Sequence, residues 1–95
     1  MENIYISALY DYYGELFTDK QKEYFEDYYF NNLTLAEIAE NNNISKNAIH
    51  KQIKEAESKL EMFEEKLELL KKKEQIRNII KNLDNEIREK LEELI

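Results

Sequence analysis

The sequence contains no proline, and its one glycine is Gly14. Nothing that normally stops a helix therefore occurs between Ser45 and Ile95. The residues that fill the chain instead are mainly Leu, Lys, Glu and Ile, which favour helices. We predict an all-α protein. Its 95 residues fit one small domain, alone or with an appendage, whose helices must associate to bury enough apolar surface.

Capping patterns divide the first half of the chain into helices. Apolar residues at helical spacing predict a first helix over about residues 2–16. "TDKQ" from Thr18 and "TLAE" from Thr34 are capping boxes, which start a second and a third helix. The run "NNN" that ends at Asn43 predicts a tight turn, because Asn tolerates the left-handed conformation. Ser45 then caps a fourth helix.

The third and fourth helices have the spacing of a helix-turn-helix unit, in which the first helix supports a second helix that reads nucleic acid. Ile38 and Ala39 are expected to face inward, with the small residue where the helices cross. Ile44 and Ile49 are expected to fill the gap between the helices. The predicted fold is a helix-turn-helix bundle with a long C-terminal, coiled-coil-like helix.

The long helix carries a heptad-like apolar seam. The seam fails at Glu74 and resumes in a displaced phase, which predicts over-winding or a bend of the rod. An unbroken rod would have about 50 residues and a length of roughly 75 Å, so its apolar stripe must fold back or pair with a second chain. We predict a helix-turn-helix domain over 1–58, a coiled-coil or dimerisation tail over 59–95, and a homodimer.

The net charge of −7 is distributed unevenly. Residues 1–40 contain nine acidic and two basic residues, and residues 55–95 contain twelve acidic and nine basic ones. Residues 41–54 contain three lysines and no acidic residue. Of these three windows, the only one without an acidic residue therefore lies on the predicted recognition helix.

A helical wheel with about 100° per residue separates the two faces of the fourth helix. Ile49, Ile53 and Ala56 lie on the buried side, and polar residues lie opposite. Asn pairs with adenine edges, Lys contacts phosphates or guanine, and a capped helix N-terminus can hold a phosphate. The predicted nucleic-acid-binding residues are Ser45, Lys46, Asn47, His50, Lys51 and Lys54. A run of three lysines is also typical of a solvated surface, and this alternative stays open.

Several classes of function lack their residues in this sequence. There is no Cys, His50 is the only histidine, and no Gly-rich phosphate loop or nucleophile elbow occurs. We therefore predict no enzyme, with no catalytic residue, metal ligand or cofactor. The first residues do not resemble a signal peptide, and no window is apolar enough to span a membrane. A cytoplasmic protein that makes no membrane contact is expected.

The stretch "ALYDYYGELFTDKQKEYFEDYYFNNLTLAEIAENNNISKNAIHKQIKEAESKLEMFEEKL" resembles the YlxM family of small bacterial helix-turn-helix proteins. The resemblance covers about residues 8–67 and is densest in "LYDYY", "FTDKQ" and "LTLAEIAE". The helix-turn-helix half is also similar to region 4 of sigma factors, which reads promoter DNA. The family resemblance implies a regulatory role in the signal recognition particle pathway, with the particle's RNA or protein as a partner. The family often has Tyr, Asp and Arg near positions where this chain has His50, Lys51 and Glu55.

Three functions follow from these observations. In the first, the fourth helix of a dimer binds DNA or the particle's RNA. In the second, the protein is an adaptor whose acidic surface, including Glu23, Glu26 and Asp27, docks on a basic protein partner. In the third, the chain is a structural coiled coil whose helix-turn-helix domain is inactive.

Overall fold

A computed structural model describes residues 2–95, with side chains from Ile4 onward. Within that range the chain forms helices and no strand. The helices are α1 (Glu2–Tyr13), α2 (Asp19–Tyr29), α3 (Leu35–Asn42), α4 (Lys46–Leu67), α5 (Leu69–Ile80) and α6 (Asn85–Glu92), and a 3₁₀ turn at Gly14–Leu16 follows α1. The predicted all-α fold is confirmed, and α4 is its long helix.

The predicted helix starts are confirmed by hydrogen bonds at their caps. Thr18 and Thr34 each form a complete capping box with the residue three positions further on. The Ser45 hydroxyl oxygen accepts a hydrogen bond from the Ala48 amide at 3.0 Å. Because the first amides of a helix have no partner within it, these side chains determine where α2, α3 and α4 begin.

Two apolar clusters hold the other helices against α4. The smaller cluster joins α3 to the start of α4 and contains Ile38, Ala39, Ile49 and Ile53. The larger cluster joins α1 and α2 to the middle of α4 and contains Ile6, Leu9, Tyr13, Phe17, Phe25, Ala56 and Leu60. Since α4 contributes to both, it links the helix-turn-helix unit to the rest of the protein.

The apolar seam of α4 is buried within this chain. Ile53, Ala56 and Leu60 are at most 3% exposed and pack in the two clusters rather than against a second chain. No long two-chain seam is therefore available along this part of α4. The helix passes through position 58 without interruption, and the division into 1–58 and 59–95 stays a prediction.

The continuous rod is not formed, because the chain turns at Glu68. This residue has a left-handed backbone, with φ 54° and ψ 30°, so α4 ends at Leu67 and α5 begins at Leu69. The bend thus lies before Glu74, where the phase slip was expected. A left-handed residue other than Gly is uncommon and costs about 1 kcal/mol, so other contacts must hold it.

Tyr13 and Glu64 hold the corner between α4 and α5. The Tyr13 hydroxyl donates to Glu64 Oε1 at 2.7 Å and accepts from the Leu69 amide at 3.1 Å. The Glu64 carboxylate also accepts from the amides of Leu70 and Lys71, each at 3.1 Å. Those amides lie in the first turn of α5 and have no partner within the helix. Side chains from α1 and α4 therefore cap α5.

A second turn reverses the chain after α5. The Leu83 amide donates to the Ile80 carbonyl at 3.0 Å, and the Asp84 side chain accepts from the Glu86 amide at 2.8 Å to cap α6. Ile95 lines the same surface pocket as Leu70, so α6 runs back along α5. We call residues 69–95 the α5–α6 hairpin.

Candidate nucleic-acid interface

The turn between α3 and α4 has the predicted geometry. Asn43 has φ 54° and ψ 40°, which is the left-handed conformation expected there. The Ile44 amide donates to the Ala39 carbonyl at 3.2 Å, and the Asn42 side chain donates to the Ile38 carbonyl at 2.7 Å. The Asn43 amide donates to the Ala39 carbonyl as well, so these bonds close the end of α3 and set the angle at which α4 leaves the turn.

The packing of α3 on α4 determines which face of α4 is open to solvent. Ile38 and Ile49 are fully buried, and Ile53 is 3% exposed. The expectation for Ile44 was wrong, because this side chain is 38% exposed. Ile44 lies in the turn just before the Ser45 cap, and Ile49, one turn into α4, fills the gap between the helices.

All six predicted binding residues lie at or near the start of α4 and are exposed. Ser45 is the cap, so its oxygen is bound to the Ala48 amide, while its hydroxyl hydrogen can still donate. The shared exposure makes these side chains accessible to a ligand. Their role in binding stays a prediction. The full set is Ser45, Lys46, Asn47, His50, Lys51 and Lys54.

The three lysines of this set differ in their surroundings. Lys54 Nζ lies 3.4 Å from Glu57 Oε1, and Glu57 also accepts a hydrogen bond from the Tyr29 hydroxyl. Lys46 and Lys51 form no ion pair with any described side chain. Lys46 and Lys51 therefore carry the charge that is most available to a phosphate.

Lys59 belongs to the same surface, although sequence reasoning did not include it. A shallow depression on α4 is lined by Lys51, Lys54, Glu55, Ser58 and Lys59. Lys59 follows Lys51 by eight residues, which is about two helical turns, so the two lie near one face. The charge windows concealed it, because it falls in a segment that is acidic on balance. Helical spacing from Lys51 would have found it.

Glu55 limits the positive charge of this surface. It is exposed and lies one turn after Lys51 and one turn before Lys59. A carboxylate at this place repels phosphate, so the depression has three lysines against one acid. The surface is weakly basic in an acidic protein, and binding would depend on few contacts.

Other kinds of site are not formed by the described residues. No three His, Cys, Asp or Glu side chains among residues 4–95 come together as a metal ion requires. The helices of the described part of the chain are all too short or too polar to cross a membrane. The aromatic residues of α1 and α2 mostly build the core: Tyr10 stacks on Phe25 with ring centroids 4.3 Å apart, and Phe25 is fully buried.

Comparison with known proteins gives one consistent result. Residues 1–95 match the model of family UPF0122, described as "Putative helix-turn-helix protein, YlxM / p13 like". The UPF0122 protein MYPE4850 of Malacoplasma penetrans is 55% identical over 65 residues, which cover 68% of this chain and 61% of that protein. The UPF0122 protein Teth514_1714 of Thermoanaerobacter sp. is 49% identical over 75 residues, 79% of this chain and 64% of its own length. The UPF0122 protein FN1394 of Fusobacterium nucleatum is 40% identical over 95 residues, 99% of this chain and 92% of its own.

Proposed function

Because this chain belongs to the UPF0122 family of YlxM/p13-like helix-turn-helix proteins, we propose that it is a cytoplasmic regulatory protein that binds nucleic acid through α4. One observation carries the proposal. A basic stretch of the sequence, residues 41–54 with three lysines and no acidic residue, forms the turn and the start of α4, and the opposite face of α4 is packed on α3. Helix-turn-helix proteins place the N-terminal residues of this helix against the bases.

The exposed residues have different roles in this proposal. Lys46 and Lys51 contact phosphates, and Lys54 does so when it leaves Glu57. Asn47 and His50, near the helix start, face the bases. The amides at the start of α4 and the Ser45 hydroxyl hold a phosphate at the edge of the site.

The proposed ligands are duplex DNA and the RNA of the signal recognition particle, and a protein of that particle is a further proposed partner. Similarity to sigma factor region 4 supports DNA. The family resemblance supports the particle. A homodimer, which we also propose, would present two copies of α4 and so double the phosphate contacts.

The alternative of an acidic docking surface has less support, because the carboxylates of that surface already have partners within this chain. Glu23 pairs with Lys20 at 3.1 Å, and Glu26 accepts from the Tyr10 hydroxyl at 2.7 Å. Asp27 accepts from the Asn31 side chain at 3.0 Å. These contacts stabilise α1 and α2, and no external partner is needed to explain the carboxylates.

The test is binding of labelled particle RNA and duplex DNA to a variant with Lys46, Lys51 and Lys54 all changed to Ala. The proposal predicts that affinity falls at least about tenfold, because three phosphate contacts are lost. A matched control changes three lysines of α2 and α6, Lys20, Lys22 and Lys90, to Ala. It makes the same change in net charge and should bind nearly as the unchanged protein does. Equal affinity of both variants for both ligands would exclude α4 as the binding surface.

A further inference from the structure

The α5–α6 hairpin leaves several large aliphatic side chains in contact with solvent. Single exposed apolar residues are common on proteins, but a concentration of them marks an interaction surface. Two of those in the hairpin, Ile79 and Leu94, are 76% and 81% exposed. The full set is Leu69, Ile76, Ile79, Leu83, Ile87 and Leu94.

Helical spacing places these residues on defined sides of the two helices. Ile80 is buried and lies four residues after Ile76, so Ile76, at 36% exposed, is at the edge of the buried side of α5, and Ile79, at 76% exposed, lies further from that side. Ile87 is 50% exposed on α6, and Leu94 is exposed in the turn that follows this helix. Each half of the hairpin therefore has large aliphatic side chains that this chain does not cover.

The two halves of the hairpin, each with one helix, also carry opposite charge. Residues 69–81 contain five basic residues and one acidic residue, for a net charge of +4. Residues 82–95 contain two basic and five acidic residues, for a net charge of −3.

These opposite charges are not paired across the hairpin. Its ion pairs are local ones, Lys71 with Glu68 at 4.0 Å and Lys90 with Glu86 at 3.4 Å. Among the described side chains no cation of α5 pairs with a carboxylate of α6. The complementary charges are therefore available to a partner.

We propose that the α5–α6 hairpin docks on the α5–α6 hairpin of a second copy of this chain. The two hairpins are related by a two-fold axis, so that α5 of each copy lies against α6 of the other. This arrangement places the half of the hairpin with +4 against the half with −3 twice, whereas α5 against α5 would place like charges together. The exposed aliphatic residues lie in the contact, and the charged residues form its rim.

This inference gives a location to the dimer of the proposed function. It is tested without nucleic acid, so its failure is distinct from a failure of the binding proposal. The corner at Glu68 has a role in this arrangement. It folds α5 against α1 and leaves the other sides of α5 and α6 open for a second copy.

The first experiment measures the mass of the full chain in solution by light scattering. The unchanged protein is expected to have twice its chain mass of 11.5 kDa. Ile79→Glu and Ile87→Glu place a charge in the contact and are expected to give the single-chain mass. Leu16→Glu is the control, because Leu16 is 59% exposed but lies in the 3₁₀ turn after α1, outside the hairpin. This variant should stay a dimer. Circular dichroism establishes that each variant is folded.

The second experiment exchanges the charges of the two helices. One chain carries Lys72→Glu and Arg77→Glu in α5, and the other carries Glu86→Lys and Glu89→Lys in α6. Each chain alone loses the opposite charges of its contact, with 0 against −3 in the first chain and +4 against +1 in the second, and should be a monomer. In a mixture of the two, one contact has the unaltered halves, +4 against −3, and the other places the introduced acidic side chains against the introduced lysines, so the mixture should form a dimer. A contact within one chain would not produce this dependence on mixing.

Two results would overturn the inference. If the unchanged protein has the mass of one chain, both this contact and the proposed dimer are wrong, whatever the protein binds. If the unchanged protein is a dimer and every hairpin variant stays one, the dimer forms through another surface and only the present inference is wrong.

Discussion

At the scale of single residues, the neighbouring Tyr12 and Tyr13 differ in the hydrogen bonds that their hydroxyls make. The Tyr13 hydroxyl bridges Glu64 and the Leu69 amide. The Tyr12 hydroxyl is buried and has no hydrogen-bond partner among the described residues, and Lys73 lies 5.4 Å from the Tyr12 ring centroid. Both residues follow the same apolar pattern, so the sequence alone does not separate them.

The first prediction compares the loss of each hydroxyl. Tyr13→Phe removes one hydrogen bond of the Glu64 carboxylate and leaves the Leu69 amide without a partner, and should lower the free energy of unfolding by about 1–3 kcal/mol. Tyr12→Phe removes a buried hydroxyl that has no partner, and should have no effect or a stabilising one. Urea denaturation of the two variants measures the difference. Equal losses would show that Tyr13 contributes through its ring alone.

The second prediction concerns the pH dependence of the same contact. Burial, and then the hydrogen bond to Glu64, raise the pKa of Tyr13 from 10.0 to about 12. The folded state therefore holds this proton more tightly than the unfolded state does. The stabilisation is complete below pH 10 and is lost as the pH rises from 10 towards 12. The difference in unfolding free energy between the unchanged protein and Tyr13→Phe should shrink over that interval. A constant difference would contradict the assignment.

At the scale of helices, the caps and the turn were predictable because they are local. The side chains of Thr18, Thr34 and Ser45 each accept from the amide three residues further on, and Asn43 adopts its conformation within the turn itself. The corner at Glu68 was not predictable in this way. It depends on Tyr13, which lies 56 residues before its partner Leu69, and the apolar spacing through this region fits a straight helix equally well. Lys59 was missed for a different reason, since a charge window ignores helical faces.

The third prediction concerns the start of α4. Ser45→Ala removes the bond to the Ala48 amide and should lower the free energy of unfolding by about 1 kcal/mol. It should also weaken nucleic-acid binding, because the first turn of α4 carries Lys46 and Asn47. Ser58→Ala is the control. Ser58 is an exposed residue within α4, and Ala is a better helix former, so this change should not destabilise the protein. A stable, tightly binding Ser45→Ala protein would show that the cap does not order the interface.

At the scale of the whole molecule, the chain is elongated, with extents of 54 × 25 × 23 Å. Its radius of gyration is 16.7 Å, against about 12 Å for a compact domain of this length. The helix-turn-helix unit and the α5–α6 hairpin lie at different ends of α4, so the proposed binding surface and the proposed dimer contact use separate parts of the chain. Residues 1–40 have nine acidic and two basic residues, and this negative charge would suppress binding to nucleic acid in general while leaving binding to a particular ligand.

The central claim is that lysines of α4 bind phosphates, and salt dependence tests it most directly. Fluorescence anisotropy gives the affinity for labelled duplex DNA and for particle RNA over a series of salt concentrations. Three phosphate contacts predict that the logarithm of the binding constant for DNA falls with the logarithm of salt with a slope of about −3 per chain. Lys51→Ala should make this slope shallower by about 1, whereas Lys90→Ala should leave it unchanged. Binding that does not depend on salt, or a slope that Lys51→Ala does not alter, would contradict the account.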